Sequence, residues 1–253
     1  LDEFPKTAST YFMQERYLGD IHDFKKFIFL KFLSIEFNKQ IGLNWYLVDP
    51  KFISITEKKN NDGEHRKYIQ DEKFKNIDEK VFEELKKFKQ KELRKIDKFT
   101  EETHLKKFIK FFNDKINIQY RKDWLKRSLK FFDKEEIIFL DPDNGLLKSK
   151  VSRKHSLKYI LIDEIKSYIN SSKIVIYTQF QSFNKHHLLY LCEIKKYLEE
   201  NELILNIPVV RNRTAPNTFY ITICKNKKMV EALKVKIEKF CSIKQNSCEL
   251  VTI

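Results

Sequence analysis

The stretch with the clearest chemical potential covers residues 135 to 147 and reads EEIIFLDPDNGLL. Its apolar run, Ile137–Leu140, predicts a buried strand, and the residues that follow predict a tight turn. Proline stiffens such a turn, and Gly145 permits a left-handed backbone. A purely structural turn explains the proline, asparagine and glycine well, but it explains two acids on either side of the proline less well. We therefore interpret four turn residues as candidate catalytic residues: Asp141, Pro142, Asp143 and Asn144.

The elements around this turn alternate between strand and helix from residue 116 onward. The pattern predicts strands at 116–120, 137–140, 173–180, 203–210 and 218–224, and helices at 123–132, 157–170 and 186–201. Such alternation with short connections is typical of a parallel, doubly wound α/β sheet. The connection at 211–217 is short enough for an antiparallel hairpin between the last two strands. Ligands in such sheets bind beyond the carboxyl ends of the strands, which is where the turn at Asp141 falls.

The amino-terminal half is expected to complete the same domain, which we assign to residues 1–253. Residues 20–40 have apolar side chains at helical spacing, with Asp20 or Asp23 as the cap and Gly42 marking the end. Residues 41–48 predict a strand, and residues 49–70 are polar and irregular. Within residues 71–112, apolar residues three or four apart predict two amphipathic helices, which we interpret as an inserted helical subdomain.

The composition favours a polyanionic partner. Lys and Arg number 50 against 36 Asp and Glu, which gives a formal net charge of +14. Nucleic acid, DNA or RNA, is the commonest partner of this kind, although a solvated lysine-rich surface would have the same composition. The four cysteines form no C-x-x-C pair and no zinc pattern, which indicates reduced thiols and a cytoplasmic location. No apolar run is long enough to predict a membrane span.

Two short motifs give the chain a family resemblance. A strand that ends in Asp141 and Pro142 resembles motif IV of the amino-group methyltransferases, the DPPY type. The segment YLGDIHDFKKFIFLKFL, from Tyr17, is similar to the HAGNxADVxKH segment of the RlmJ-like ribosomal RNA adenine-N6 methyltransferases. The residues matched to that segment are Gly19, Asp20, Asp23 and, for the region of Lys-His, Lys25. The order of this segment, a strand, a helical insertion, the Asp-Pro strand and a final hairpin extends the resemblance over most of the chain.

The resemblance implies a Rossmann-like class I methyltransferase fold, with S-adenosylmethionine in the crevice and a nucleic-acid base as the acceptor. Asp141 would accept a hydrogen bond from the target amino group, and the Pro142 carbonyl would help to orient it. The residues expected at the cofactor or the mouth of the crevice are Asp20, Lys25, Asp49, Asp62 and Gly63. In this chain Asp143 stands in place of the second proline of the motif, and Asn144 in place of the aromatic residue. VDPKF stands where a glycine-rich loop would follow the first strand.

Two alternatives stay open. Asp141 and Asp143, with a downstream acid, could bind Mg²⁺ or Mn²⁺, since hard cations prefer carboxylate oxygens. A metal held in this way would activate water for phosphodiester hydrolysis, as in a nuclease or a defence-type effector. The second alternative is a catalytically inactive protein that binds nucleic acid through its basic helices.

Further candidate residues lie in loops and at strand ends. The expected phosphate contacts are Arg121, Lys122, Arg211 and Arg213. The additional candidates for the crevice are His65, Tyr177 and Gln179. His65 lies in a polar loop, and the other two residues belong to the end of the predicted strand at 173–180. Nothing in the sequence indicates an oligomeric state.

Overall fold

The computed structural model describes residues 13–48, 65–181, 184–214, 216–243 and 247–253. The strands are β1 (Ile41–Asn44), β2 (Ile109–Phe112), β3 (Ile137–Leu140), β4 (Ile174–Phe180), β5 (Val209–Asn212), β6 (Thr218–Ile223) and β7 (Cys248–Val251). The α-helices are α1 (Met13–Tyr17), α2 (Ile21–Phe37), α3 (Glu72–Lys75), α4 (Glu79–Lys86), α5 (Ile96–Glu102), α6 (Arg121–Phe131), α7 (Ile162–Asn170), α8 (His187–Glu200) and α9 (Lys227–Ser242). Three candidate residues lie outside the described residues: Asp49, Asp62 and Gly63.

The strands form one seven-stranded sheet in the order β2-β1-β3-β4-β6-β5-β7. The first four strands are parallel, and β6 is antiparallel to both β4 and β5. The predicted α/β class, the mostly parallel sheet and the antiparallel hairpin of the last two predicted strands are therefore confirmed. The architecture is compatible with a Rossmann-like fold. No helix in the described part of the chain is long and apolar enough to cross a membrane.

The chain changes direction across the sheet between β1 and β3. It leaves β1 for the outer strand β2 and then returns past β1 to form β3 on the other side. The carboxyl ends of β1 and β3 therefore flank a topological switch point, the usual ligand crevice of an open α/β sheet. The Asp141 N–H donates to the Asn44 carbonyl at 2.9 Å and holds the two ends together.

Helices cover both faces of the sheet and bury two layers of apolar side chains. Helices α2, α4, α5 and α9 pack on one face, and α6, α7 and α8 pack on the other. Because side chains alternate along a strand, Ile137 and Phe139 face the α2 layer, while Ile138 and Leu140 face the α7 layer. The next residue, Asp141, is thereby directed toward α2.

Several predicted elements differ from the structure. Residues 105–112 were expected to be helical, but Ile109–Phe112 form strand β2, since pairing with β1 satisfies their backbone groups. Residues 116–120 form no strand, and Ile116 makes an isolated bridge to Val48. Asn38, at a left-handed φ of 51°, ends α2, so the expectation that Gly42 marks this end was wrong.

Two predicted strands are shorter than expected, and the carboxyl-terminal elements were not foreseen. The predicted strand at 41–48 ends at Asn44, and Tyr46, two residues later, adopts a left-handed φ of 54°. The predicted strand at 203–210 begins only at Val209. Helix α9 and strand β7 were not predicted. The block at 71–112 contains three short α-helices and three 3-10 turns, and apolar residues of α4 and α5 share one core cluster with α2 and the sheet.

Candidate active site

The start of α2 is held in a defined shape by two aspartates. The Asp20 carboxylate accepts from the backbone N–H groups of His22 at 2.9 Å and Asp23 at 3.0 Å, which caps the helix. Gly19 has a φ of 80°, and its N–H donates to Asp23 Oδ2 at 2.7 Å. The predicted cap at Asp20 is confirmed, and Asp23 is fixed at the carboxyl edge of the sheet.

One turn further along α2, Lys26 joins this helix to the end of β3. Its Nζ lies 2.6 Å from Asp23 Oδ1 and 2.5 Å from Asp141 Oδ2. Thr178, at the adjacent position of β4, donates from Oγ1 to Asp141 Oδ1 at 2.9 Å. The side chain of Lys26 is 5% exposed and that of Asp141 is 19% exposed. Asp141 is therefore the member of the cluster that a ligand in the crevice can reach.

The charges of this cluster depend on one another. Burial raises the pKa of Asp141, and the nearby Lys26 ammonium opposes that shift. Burial alone would lower the pKa of Lys26, but Asp141 and Asp23 together raise it above its ordinary value. Burial and the charge of Asp23 raise the pKa of Asp20. Lys26 is thus an ammonium ion throughout the neutral range, held between Asp23 and Asp141.

Aromatic rings lie beneath the lysine. Lys26 Nζ stands 4.4 Å from the ring centroid of Trp45, the residue directly after β1. Trp45 stacks on Phe111 of β2 at 5.9 Å and meets Phe27 edge-on at 5.8 Å. A ring face attracts a cation, so Trp45 helps to hold the ammonium at the switch point.

Histidine and phenylalanine side chains form the margin of the site. The His22 ring stands 6.0 Å from the ring of His65 and 5.6 Å from that of Phe180. Burial, together with His65, lowers the pKa of His22 to about 4, so this imidazole is neutral at pH 7. The His65 carbonyl accepts from the Ile21 N–H at 2.9 Å. The candidate His65 therefore lies beside the start of α2, next to His22.

The turn after β3 is clamped from one side. Gly145 has a φ of 85°, and a Cβ there would lie 2.4 Å from Gln179 Oε1. That oxygen accepts from the Leu146 N–H at 2.8 Å, and Gln179 Nε2 donates to the Tyr190 hydroxyl at 2.7 Å. Pro142 is buried, while Asp143 and Asn144 are half-buried in the same turn. The structure thus gives Gln179 the role of an anchor for the turn, whereas we expected it to line the crevice.

Two expected positions are replaced by their sequence neighbours. Tyr177 is fully buried in the α7 layer, where burial raises its pKa, and Thr178 is the β4 residue that contacts Asp141. Likewise Lys25 packs beside Phe74, and burial lowers its pKa to about 8, while Lys26 meets Asp141. Alternation along β4 could have identified Thr178, since Leu140 pairs with Tyr177 and the next pair faces α2.

The candidate phosphate contacts differ in exposure and in their partners. Arg121 binds Glu164 through two bonds, at 2.6 and 3.0 Å, and its side chain is only 11% exposed. Arg211 and Arg213 both pair with Glu249, at 2.9 and 2.5 Å. Lys122 is exposed on α6. Arg121 is therefore placed as a structural ion pair, and Lys122 and Arg213 are the accessible members of this set.

The described residues contain no group of three or more His, Cys, Asp or Glu side chains that could hold a metal ion. The Asp141 carboxylate faces an ammonium ion, and a second cation at the same oxygens would be repelled by it. The proposed Mg²⁺ or Mn²⁺ site of Asp141 and Asp143 thus has no support from the geometry.

Neither protein-family models, nor curated proteins, nor solved structures give a match to this chain.

Proposed function

We propose that this chain is a nucleic-acid-directed enzyme with a class I methyltransferase-like fold, in which Asp141 orients the amino group of a target base. One observation carries the proposal: the two segments with the family resemblance, 115 residues apart, meet in space. Counted from Tyr17, the glycine, aspartate and lysine of the HAGNxADVxKH pattern fall on Gly19, Asp23 and Lys26. Asp23 bonds both to Gly19 and to Lys26, and Lys26 bonds to Asp141 of the Asp-Pro motif.

The order of the strands also supports this proposal. Four parallel strands are followed by the β5–β6 hairpin, in which β6 lies antiparallel against β4. A parallel sheet that ends in an antiparallel hairpin strand is the arrangement implied by the resemblance. The cluster around Lys26 lies at the switch point, where such sheets bind ligands.

The environment of Asp141 suits an acceptor of amino protons. Lys26 and Thr178 each occupy one of its two oxygens, which fixes the plane of the carboxylate. Each oxygen keeps a further lone pair that can accept an N–H from a base amino group. The 19% exposure of the side chain leaves it reachable from the crevice. Lys26 would keep Asp141 ionised, so that the carboxylate accepts and does not donate.

The cofactor fits the described residues only in part. S-adenosylmethionine would supply the methyl group, and its close approach to the backbone normally needs small residues. A Cβ on Gly19, Gly42 or Gly145 would meet other protein atoms at 3.0 Å or less. Trp45 and Tyr46, both buried, follow β1. Under this proposal Asp141 would serve the acceptor side of a methyl transfer, while the described residues offer no glycine cradle. We therefore assign no residue a step through the cofactor.

Calorimetry and a transfer assay test the proposal together. The full chain is titrated with S-adenosylmethionine up to millimolar concentration, and transfer of labelled methyl groups to RNA and DNA is then measured. We expect binding and transfer, with transfer lost in Asp141→Asn and retained in Lys31→Met, which removes a lysine of the same helix that pairs with Asp78. Absence of cofactor binding, or full activity of Asp141→Asn, would overturn the proposal.

The same preparation decides between the alternatives. Cleavage of RNA or plasmid with Mg²⁺ or Mn²⁺, lost in Asp143→Ala, would establish the nuclease in place of the methyltransferase. Salt-sensitive binding of nucleic acid with neither activity would establish a catalytically inactive binding protein.

A further inference from the structure

A basic loop leaves the candidate site directly after the turn that contains Asp141. No acidic residue occurs between Asp143 and Asp163. This interval contains five lysines and arginines and one histidine: Lys148, Lys150, Arg153, Lys154, His155 and Lys158. We use the term basic loop for residues 148–158. The loop itself contains no carboxylate side chain, in contrast to the mixed charges of the helices.

The base of this loop is attached to the candidate site. Asn144 N–H donates to the Lys158 carbonyl at 2.9 Å, and Ile160 N–H donates to the Gly145 carbonyl at 2.9 Å. A parallel bridge also joins Leu146 to Ile160. The two ends of the loop therefore meet at the turn after β3, on the edge of the sheet where Asp141 lies.

A buried ion pair supports the far half of the loop. Arg121 donates to the carbonyl oxygens of Ser156 at 2.8 Å and Tyr159 at 2.6 Å, while Glu164 binds the same guanidinium. Inside the loop, the Ser152 carbonyl accepts from the Ser156 N–H at 3.0 Å, and residues His155–Lys158 form a 3-10 turn. These hydrogen bonds support residues 152–159 of this segment from within the protein.

Three cations at the tip of the loop face solvent. Lys150, Arg153 and Lys154 are exposed, and no carboxylate of the described residues forms an ion pair with any of them. Lys148, nearer to the base, pairs with Glu193 at 3.6 Å. With a chain reach of about 3.5 Å per residue, the tip stands within roughly 20 Å of the attached base. A strand of nucleic acid bound at the tip can therefore extend to Asp141.

We infer that the basic loop is a binding surface for the phosphodiester backbone of a nucleic acid, which it delivers to the crevice beside Asp141. This inference rests on the proposed function for the identity of the site, but the loop itself is tested by binding alone. Phosphate contacts supply most of the affinity of such complexes and position the strand without reading its sequence. Exposed lysine and arginine side chains on this loop match that requirement.

The test compares two triple variants of equal net charge. The loop variant is Lys150→Ala, Arg153→Ala, Lys154→Ala. The control variant is Lys225→Ala, Lys227→Ala, Lys228→Ala, in an exposed run after β6. Because β6 is antiparallel to β4, this run lies at the opposite edge of the sheet. Fluorescence anisotropy of labelled RNA and DNA oligonucleotides, single-stranded and duplex, is measured without cofactor across a salt series.

We expect the loop variant to lose affinity by about tenfold or more, and the slope of log K against log salt to become shallower by about two to three, as for three lost phosphate contacts. The control variant should bind as the wild type does. The nucleic acid, RNA or DNA, for which the loop variant loses more affinity is identified as the ligand. Equal losses in both variants, or wild-type binding by the loop variant, would overturn the inference, as would absence of binding by the wild type.

The outcomes separate this inference from the proposed function. Loop-dependent binding without methyl transfer would leave the loop assignment standing and remove the methyltransferase. Methyl transfer to nucleic acid, together with wild-type binding by the loop variant, would support the methyltransferase and remove the loop assignment. Circular dichroism of both triple variants checks that the fold is intact, which we expect because the replaced loop side chains are exposed.

Discussion

Lys26 Nζ lies 2.5 Å from Asp141 Oδ2 and joins helix α2 to the carboxyl end of β3 at the centre of the candidate site. The same ammonium lies 2.6 Å from Asp23, so one buried cation holds two carboxylates. The ion pairs of Lys26 therefore affect both the stability of this edge of the sheet and the ionisation of the Asp141 carboxylate.

Lys26→Met should destabilise the protein strongly. The change leaves Asp23 and Asp141 buried without their cation, which costs about 3 to 5 kcal/mol of unfolding free energy. Urea denaturation at pH 7 measures the loss. Lys31→Met is the matched control: the side chain of Lys31, which pairs with Asp78, is 19% exposed against 5% for Lys26, so its removal should cost less unfolding free energy. Adding Asp141→Asn to Lys26→Met should recover part of the loss, and equal losses in the two single variants would contradict this account.

His22 should make the protein less stable in mild acid. Its pKa is lowered from an ordinary value of 6.5 to about 4 by burial and by His65. Between these values the unfolded chain binds the proton and the folded chain does not, so stability falls as pH drops from 6.5 toward 4. The contribution is at most about 3 kcal/mol.

Urea unfolding at pH 7 and pH 4.5 measures this effect. His22→Phe should show a smaller difference between the two pH values than the wild type does. The control His155→Gln, at an exposed loop position, should behave as the wild type. A difference that is unchanged in His22→Phe would show that other groups cause the acid sensitivity.

Gly145→Ala should loosen the turn that contains Asp141. The new Cβ would lie 2.4 Å from Gln179 Oε1, and alanine at a φ of 85° is strained by about 1 kcal/mol or more. Thermal unfolding should show a lower midpoint. Gln179→Ala in the same chain should remove the collision and leave the backbone strain, so the double variant should cost less than the sum of the two single variants. If the double variant loses as much stability as the two single variants together, the contact between Gln179 and the turn at Gly145 is not supported.

Arg121→Met should reduce stability, and Lys122→Met should not. Arg121 binds the Glu164 carboxylate, which is 3% exposed, and the carbonyls of Ser156 and Tyr159. Its removal leaves a buried charge without a partner and costs about 3 kcal/mol or more of unfolding free energy. Lys122 is exposed on the same helix. Denaturant unfolding of both variants provides the comparison. If Arg121→Met is as stable as the wild type, the ion pair does not stabilise the fold, and Arg121 is again a candidate phosphate contact.

Local patterns in the sequence were sufficient for the elements that surround the site. The run at Ile137–Leu140, the turn that ends at Gly145 and the cap at Asp20 were predicted correctly, because short-range sterics and backbone hydrogen bonding determine them. The α/β class followed from the alternation of such elements. A spacing of three or four was misleading at Ile109–Phe112, where a neighbouring strand supplies the hydrogen bonds.

By itself the sequence therefore determined where β3 and the turn after it lie, and that Asp141 follows a buried strand. The tertiary structure decided which neighbours meet it: Lys26 and not Lys25, Thr178 and not Tyr177. The reason is physical, since adjacent residues point to opposite sides of a strand or to different faces of a helix, and only the packing of α2 on the sheet selects the side that carries the site. The partner of Arg121, 43 residues away, was likewise determined by packing.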